Sequence, residues 1–246
     1  MQVKEKLKYS YEKMELEEKR YSLEEAHWGK VVVVLSGGMD STTLLYKTLD
    51  LGCEVYPISF YYGQRHSKEL KMAELTCSKL NLSLKRVDIS VLGELAPSAL
   101  TREDIDIPEG NYDDPSMKQT VVPNRNMVFL ALATSYAIGL EAEAVYLGAH
   151  SGDHAIYPDC RPKFIRAMDG AIGLCDYSRV YLDVPFMSYT KTGILRIGMD
   201  LGVDYSLTWS CYKGNGLACG KCGTCVERLE AFRELGLKDP LEYENG

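Results

Sequence analysis

The sequence has no excess of positive charge. Its 28 Lys and Arg residues are outnumbered by 35 Asp and Glu residues, which gives a formal net charge of −7 and a pI near 5.2. Proteins that bind nucleic acid through its phosphates usually present a basic face. The charge balance therefore favours a small-molecule substrate and argues against direct contact with nucleic acid.

Long hydrophobic runs are also missing. The longest apolar stretch, residues 128–140, is shorter than the ~20 residues that a membrane-spanning helix needs, and it contains Thr134 and Ser135. Residues 1–20 are rich in Lys and Glu and lack the apolar segment of a secretory signal. We therefore expect a cytoplasmic protein without membrane contact, whose 8 cysteines are ligands, catalysts or core residues rather than disulfides.

The sequence does contain an alternation of β-type and helical segments. Strands are expected at 31–35, 54–60, 84–89, 144–147 and 179–185, and helices at 41–51, 66–80, 125–140, 163–174, 190–201 and 226–235. The first strand is a continuous β-branched run, which is typical of a strand buried on both faces. This order predicts an α/β fold with a doubly wound parallel sheet.

Three regions are distinguished by composition. We expect a charged N-terminal extension at 1–29, a nucleotide-binding α/β domain at 30–205 and a cysteine-rich, zinc-binding helical tail at 206–246. Within the domain, residues 93–123 are rich in proline and acidic residues and interrupt the alternation. A loop of this length is either a lid over a site or a flexible insert, and both interpretations stay open.

A glycine-rich turn follows the first predicted strand. Residues 36–43 read Ser-Gly-Gly-Met-Asp-Ser-Thr-Thr and lead into the first predicted helix. The glycines allow a sharp turn and a close approach to an anion, and the free amides at the helix start bind phosphate. Nucleotide contacts are expected at Leu35, Ser36, Gly37, Gly38, Met39, Asp40, Ser41, Thr42, Thr43, Leu44 and Leu45.

The turn differs from two common phosphate-binding loops. No Lys precedes its final Ser, as a Walker loop requires, and its glycines do not fit the dinucleotide fingerprint. Asp40 would repel an anion unless it holds Mg²⁺ or caps the helix. The turn resembles the loop of the PP-loop ATP pyrophosphatases, which cleave ATP between the α- and β-phosphates and transfer AMP to a substrate oxygen. That resemblance implies a Rossmann-like adenine nucleotide alpha hydrolase fold.

Four cysteines are clustered in the tail. Cys211, Cys219, Cys222 and Cys225 include two Cys-x-x-Cys steps that share Cys222, with glycines between them. Four thiolates form a closed tetrahedral zinc site with no open position for water. We expect one structural Zn²⁺ per chain, and an iron–sulfur cluster is the alternative.

The loop and the cysteine cluster together resemble the 7-cyano-7-deazaguanine synthase family. Further motifs in the same order are Tyr-Gly-Gln-Arg-His at 62–66, Val-Pro-Asn-Arg-Asn at 122–126 and Tyr-Pro-Asp-Cys-Arg at 157–161. The resemblance spans residues 31–235. It implies that 7-carboxy-7-deazaguanine, ATP with Mg²⁺, and free ammonia are converted to a nitrile through adenylated intermediates, by a homodimer. The N-terminal extension departs from this pattern.

Residue roles follow from the resemblance and from charge. We expect Asp40, Lys191 and Arg125 to be catalytic: Lys191 could neutralise phosphate charge, and Arg125 could clamp a phosphate or a carboxylate. The alternative for Lys191 is an exposed lysine at a helix start. Phe60 could stack on a base. The expected substrate-binding residues are Tyr62, Gln64, Arg65, Asp153, Tyr157, Asp159 and Arg161.

Three other functions stay open. A PP-loop enzyme that thiolates tRNA would use the cysteines for an iron–sulfur cluster. A relative of the synthase could adenylate a different carboxylate. A nucleotide-binding protein could also retain the loop as an interaction module without catalysis.

Overall fold

Five parallel strands form one sheet in the computed structural model, which describes residues 28–65, 67–111, 114–214 and 216–244. The strands are β1 Lys30–Val34, β2 Glu54–Tyr61, β3 Lys85–Asp88, β4 Ala144–Tyr146 and β5 Tyr181–Asp183. Their order is β3-β2-β1-β4-β5, and every neighbouring pair is parallel. The predicted α/β class and parallel sheet are confirmed. The expectations for most of the N-terminal extension and for His66 lie outside the described residues.

Strand β1 shows why the sequence begins with a continuous apolar run. Val31 and Val33 face a core that contains Leu44 and Leu45, whereas Val32 faces the core on the opposite side of the sheet. All three valines are fully buried. A central parallel strand has no solvated face, and apolar residues at every position satisfy that requirement.

Helices cover both faces of the sheet. They are α1 Met39–Asp50, α2 Lys68–Lys79, α3 Val91–Leu95, α4 Arg125–Gly139, α5 Pro162–Ile172, α6 Lys191–Asp200 and α7 Gly223–Glu234. Helix α1 begins two residues earlier than predicted because Gly38 already acts as the extended N-cap residue. Helix α7 begins three residues earlier than predicted because Cys222 is its N-cap. The last two metal-ligand candidates thus lie at a helix N-terminus.

The strand order changes direction between β1 and β4. In open α/β sheets, ligands bind outside the carboxyl ends of the strands at such a switch point. The glycine-rich turn follows β1, and a second loop beginning at Gly148 follows β4. A Cβ on Gly148 would lie 3.2 Å from both the Cα and the backbone nitrogen of Ser41, so the two loops are in close contact.

The segment 93–123 is packed against the cysteine-rich tail. Ala99 and Ile107 share a buried cluster with the four clustered cysteines. The Gly110 amide donates to the carbonyl of Lys221 at 2.9 Å. A 3₁₀ turn, Pro115–Thr120, adds local structure. Among the described residues, this segment is therefore packed against the rest of the protein over much of its length. This packing argues against a flexible insert.

Among the described residues, no helix is both long enough and apolar enough to span a membrane.

Candidate active site and cysteine cluster

A cavity open to solvent lies at the switch point. One side is polar and is formed by the glycine-rich turn with Asp40, Asp153 and Lys191. The other side is aromatic and is lined by Phe60, Tyr62, Phe129, Tyr157 and Tyr212. A polar end beside an aromatic end suits a ligand with a charged group attached to a ring.

The glycine-rich turn has the features of an anion-binding loop. The Gly38 amide donates to the Ser36 hydroxyl at 3.1 Å, and the Ser36 and Ser41 hydroxyls lie 3.0 Å apart. No side chain caps the start of α1 at Gly38. The first amides of α1 are thus available to a ligand, and the helix dipole favours an anion there.

The predicted nucleotide-contact residues divide into two groups. Leu35, Ser36, Gly38, Met39, Asp40 and Ser41 line the cavity, whereas Gly37 and Thr42 do not. The side chains of Leu44 and Leu45 lie in the core against the sheet. The Thr43 hydroxyl lies 2.8 Å from the Tyr205 hydroxyl, away from the cavity. Helical periodicity explains this division, because later residues of α1 face the sheet and α6 rather than the cavity.

Lys191 lies among carboxylates and is not an exposed helix-start lysine. Its Nζ lies 2.6 Å from Asp40 Oδ2 and 3.2 Å from Glu227 Oε2, and its side chain is only 13% exposed. Burial alone would lower the pKa of Lys191, but Asp40 and Glu227 outweigh it and raise that pKa. Burial likewise opposes ionisation of Asp40, yet Lys191 and His150 hold the pKa of Asp40 below its usual value. At neutral pH both groups are therefore charged.

Buried polar atoms in the cavity wall have unused hydrogen-bonding capacity. Asp40 Oδ1 and Arg125 Nε line the cavity, are buried and have no hydrogen-bond partner among the described residues. Thr42 Oγ1 is likewise buried without such a partner, but Thr42 does not line the cavity. Such groups are costly unless a ligand or solvent satisfies them. The Asp40 oxygen suits a cation with its hydration shell, and the guanidinium nitrogen suits an anion.

Arg125 is surrounded by aromatic rings at the start of α4. Its guanidinium carbon lies 5.7 Å from the ring centre of Tyr62, 5.8 Å from that of Phe129 and 6.0 Å from that of Tyr157. Burial would lower the pKa of Arg125, but nearby Tyr62 and Asp159 raise it. The cation is thus fixed between π-faces and directed toward the cavity.

Four of the predicted substrate-binding residues line the cavity, and three do not. Tyr62, Gln64, Asp153 and Tyr157 line it. Arg65 instead donates to the carbonyls of Ala99 and Ile105, at 3.3 and 3.0 Å, and so anchors the segment 93–123.

Asp159 and Arg161 also make local contacts. Asp159 Oδ2 accepts from the Asn126 amide at 3.0 Å, in the first turn of α4. The Arg161 guanidinium donates to the carbonyl of His154 at 2.8 Å. All three residues outside the cavity therefore shape the loops around it.

Several residues of the site were not predicted. Glu69 and Tyr212 line the cavity. His150 is 1% exposed, and its Nε2 lies 3.7–3.8 Å from carboxylate oxygens of Asp40, Asp153 and Glu227. Glu69 follows the 62–66 motif by three positions, which was an available signal. His150 and Glu227 had none, because only the packing of distant segments brings them to Lys191.

The four clustered cysteines form a buried metal-binding arrangement. The sulfur atoms of Cys211, Cys219, Cys222 and Cys225 all lie within 4.8 Å of one another. Tetrahedral Zn–S bonds of about 2.3 Å require sulfurs about 3.8 Å apart. The Cys219 and Cys225 sulfurs are 4.0 Å apart, and the Cys222 amide donates to the Cys219 sulfur at 3.3 Å. The donor set and its spacing fit a metal ion such as zinc.

The chain is similar to known proteins over most of its length. The family model described as queuosine biosynthesis protein QueC matches residues 30–236. A 7-cyano-7-deazaguanine synthase of Caldicellulosiruptor saccharolyticus is 63% identical over 87% of this chain and 96% of its own length. One of Methanoregula boonei is 60% identical over 87% of this chain and 99% of its own.

Similarity to solved structures is weaker. An NH3-dependent NAD synthetase from Campylobacter jejuni is 17% identical with a TM-score of 0.46, over 74% of this chain and 68% of that one. The family assignment thus depends on the sequence relatives and on the matched family model. The chain belongs to the QueC family of queuosine biosynthesis proteins.

Proposed function

We propose that this protein converts 7-carboxy-7-deazaguanine, ATP and ammonia into 7-cyano-7-deazaguanine, releasing AMP and pyrophosphate. It would act as an ATP-dependent ligase that forms carbon–nitrogen bonds. Membership in the QueC family over residues 30–236 is the observation that carries the proposal. In the proposed sequence the acid is adenylated, ammonia displaces AMP to give the amide, and a second adenylation allows the nitrile to form.

The polar side of the cavity would bind the phosphates of ATP. The amides at the start of α1 and the hydroxyls of Ser36 and Ser41 would bind the phosphate oxygens. Lys191 would neutralise charge that develops on the departing pyrophosphate, because nearby carboxylates keep its ammonium protonated. Asp40 Oδ1, a buried acceptor without a partner in the described part of the chain, would hold the Mg²⁺ that accompanies ATP.

The aromatic side would bind the 7-carboxy-7-deazaguanine. Arg125 presents a fixed cation to which the carboxylate can bind through two hydrogen bonds. Phe60 stacks on Phe129 with ring centres 4.5 Å apart, so a flat aromatic wall lies beside Arg125. Gln64, which also lines the cavity, would bind the polar edge of the ring, and Asp153 would bind that edge from the polar side.

The cysteine cluster would hold one structural zinc ion per chain. All four sulfurs come from this chain and are buried, so no position is left for a reacting water. The ion would fix the start of α7, which carries Glu227 to Lys191. The family resemblance further implies a homodimer, which light scattering on the purified protein would test.

A product analysis tests the proposed reaction. The protein is incubated with 7-carboxy-7-deazaguanine, ATP, Mg²⁺ and an ammonium salt, and the products are separated by chromatography with mass detection. AMP, pyrophosphate and the nitrile are expected, with no AMP when the acid is omitted. ADP and phosphate would mean acyl-phosphate activation and would contradict the proposal.

Two other outcomes would also contradict it. Failure to release pyrophosphate with this acid would point to a different carboxylate. Stoichiometric iron and acid-labile sulfide in protein purified without oxygen would favour tRNA thiolation.

A further inference from the structure

Glu69 is a cavity carboxylate to which the binding roles above assign no function. It is the second residue of α2 and lines the cavity between the glycine-rich turn and the aromatic side. Its position is therefore close to where the phosphate and the substrate carboxylate must meet.

Backbone packing fixes this position. Gly37 has a φ of +95°, and a Cβ on it would lie 2.0 Å from the carbonyl oxygen of Glu69 and 2.9 Å from the nitrogen of Ala73. The turn thus packs directly on the first turns of α2. Glu69 Oε1 lies 3.3 Å from the point where a Cβ of Gly38 would be, which brings the carboxylate over the phosphate-binding backbone.

The surroundings of Glu69 suit proton transfer better than phosphate binding. A permanently charged carboxylate would repel a phosphate in this loop. Burial raises the pKa of Glu69 to about 7, while Ser36 and Arg125 oppose the rise and Asp40 adds to it. Tyr62 also interacts electrostatically with this carboxylate. Near neutral pH the group can therefore both accept and release a proton.

Other carboxylates near the cavity are engaged. Asp40 lies 2.6 Å from the Lys191 ammonium, and Glu227 lies 3.2 Å from it. Asp153 accepts from the His150 amide at 3.0 Å. Each is held by a neighbouring cation or amide at the polar end. Glu69 instead accepts a hydrogen bond from the Ser36 hydroxyl and lies at the junction of the polar and aromatic sides.

We propose that Glu69 is the general base of the amide-forming step, an inference that rests on the proposed function. The ammonia nitrogen uses its lone pair to form the C–N bond at the carbonyl carbon of the adenylate. The positively charged nitrogen loses a proton to the Glu69 carboxylate. The C–O bond to AMP breaks, and its electron pair leaves on the AMP phosphate. Glu69 then releases the proton to solvent.

The test separates adenylation from amide formation. Glu69→Gln keeps the size and polarity of the side chain but removes the base. Glu74→Gln is the matched control, since Glu74 lies on the same helix and pairs with exposed Arg86 outside the cavity. Adenylation is followed without ammonia as acid-dependent exchange of labelled pyrophosphate into ATP. Amide and nitrile formation is followed by mass detection with ammonium present.

Glu69→Gln is expected to retain the exchange reaction and to lose ~10²–10⁴-fold in amide formation, the usual range for a general base. The control should match the wild type in both assays. Hydroxylamine should partly rescue the variant, because its nitrogen loses a proton more readily after attack. Equal loss of exchange and amide formation, or no loss of either, would overturn the role of Glu69 while leaving the proposed function intact. Absence of exchange in the wild type would overturn both.

A pH profile gives an independent readout. When the wild-type rate is divided by the concentration of free ammonia, it should still fall about tenfold per unit below the Glu69 pKa, because only the carboxylate form accepts the proton. That pKa is about 7 in the unliganded protein. In Glu69→Gln the corrected rate should be flat across this range. A profile that is unchanged in the variant would contradict the inference.

Discussion

Replacing Gly198 by alanine should destabilise the protein, although alanine is the better helix former. Gly198 is buried inside α6. A Cβ there would lie 1.8 Å from the Tyr205 hydroxyl oxygen and 3.0 Å from Thr43 Oγ1. Tyr205 is 3% exposed and packs edge-on against Phe232, so its ring has little room to move. The new methyl group must therefore displace a packed side chain.

The relative sizes of three contributions decide whether Gly198→Ala raises or lowers the free energy of unfolding. Alanine gains ~1 kcal/mol of helix propensity over glycine. Overpacking a core costs ~1–3 kcal/mol. Loss of the 2.8 Å hydrogen bond between Thr43 and Tyr205 leaves the buried Tyr205 hydroxyl unsatisfied, at a further ~1–3 kcal/mol, whereas the Thr43 hydroxyl still donates to the carbonyl of Met39. The net loss is roughly 3 kcal/mol, which corresponds to a fall in Tm of about 6–12 °C for a domain of this size.

Gly170→Ala is the matched control. Gly170 lies in α5, and a Cβ there would meet nothing within 4 Å. The free energy of unfolding of this variant should rise by ~0.5–1 kcal/mol. Thermal and urea unfolding of both variants at equal metal content gives the comparison. If Gly198→Ala raised Tm as Gly170→Ala does, the packing argument would be refuted. Combining Gly198→Ala with Tyr205→Phe should cost less than the two single changes added together.

Three further predictions concern charge and metal. Asp40→Ala should abolish acid-dependent pyrophosphate release while the circular dichroism spectrum stays unchanged; near-normal turnover would exclude a metal-holding role. Cys222→Ser should lose bound zinc and lower Tm, whereas Cys175→Ser, at an exposed cysteine, should do neither, as metal analysis and thermal unfolding will determine. Arg228→Met removes the guanidinium that lies 2.7 Å from the Asp239 carboxylate, which is only 3% exposed. The free energy of unfolding measured in urea should fall by ~3–5 kcal/mol, because a buried charge is left unpaired. Adding Asp239→Leu should recover much of that loss; no recovery would contradict the pairing argument.

Features encoded by neighbouring residues were predictable. The β-branched run at 31–35 indicated a central strand because only a strand covered on both faces needs apolar residues at every position. The glycine pair indicated an anion-binding turn, and the cysteine spacing indicated a metal site, because both geometries close within a few residues. Arg125 was predicted for the site and lies in the cavity wall.

Residue type was a poorer guide to which side chains face the cavity. Arg65 and Arg161 were predicted as substrate-binding residues, but both donate to backbone carbonyls of nearby loops. A guanidinium satisfies a carbonyl as well as a carboxylate. The sequence does not specify which of these acceptors lies within reach.

The sequence by itself determined the α/β class, the glycine-rich turn after the first strand, the cysteine cluster and the family. These depend on local conformation, on side-chain periodicity and on short ligand spacings. Only the tertiary structure decided that α7 carries Glu227 to Lys191, that 93–123 packs on the cysteine-rich tail, and that Glu69 lies over the turn. The physical reason is that these contacts join segments far apart in the chain. Their geometry is set by how helices pack on the completed sheet, and no short stretch of sequence contains that information.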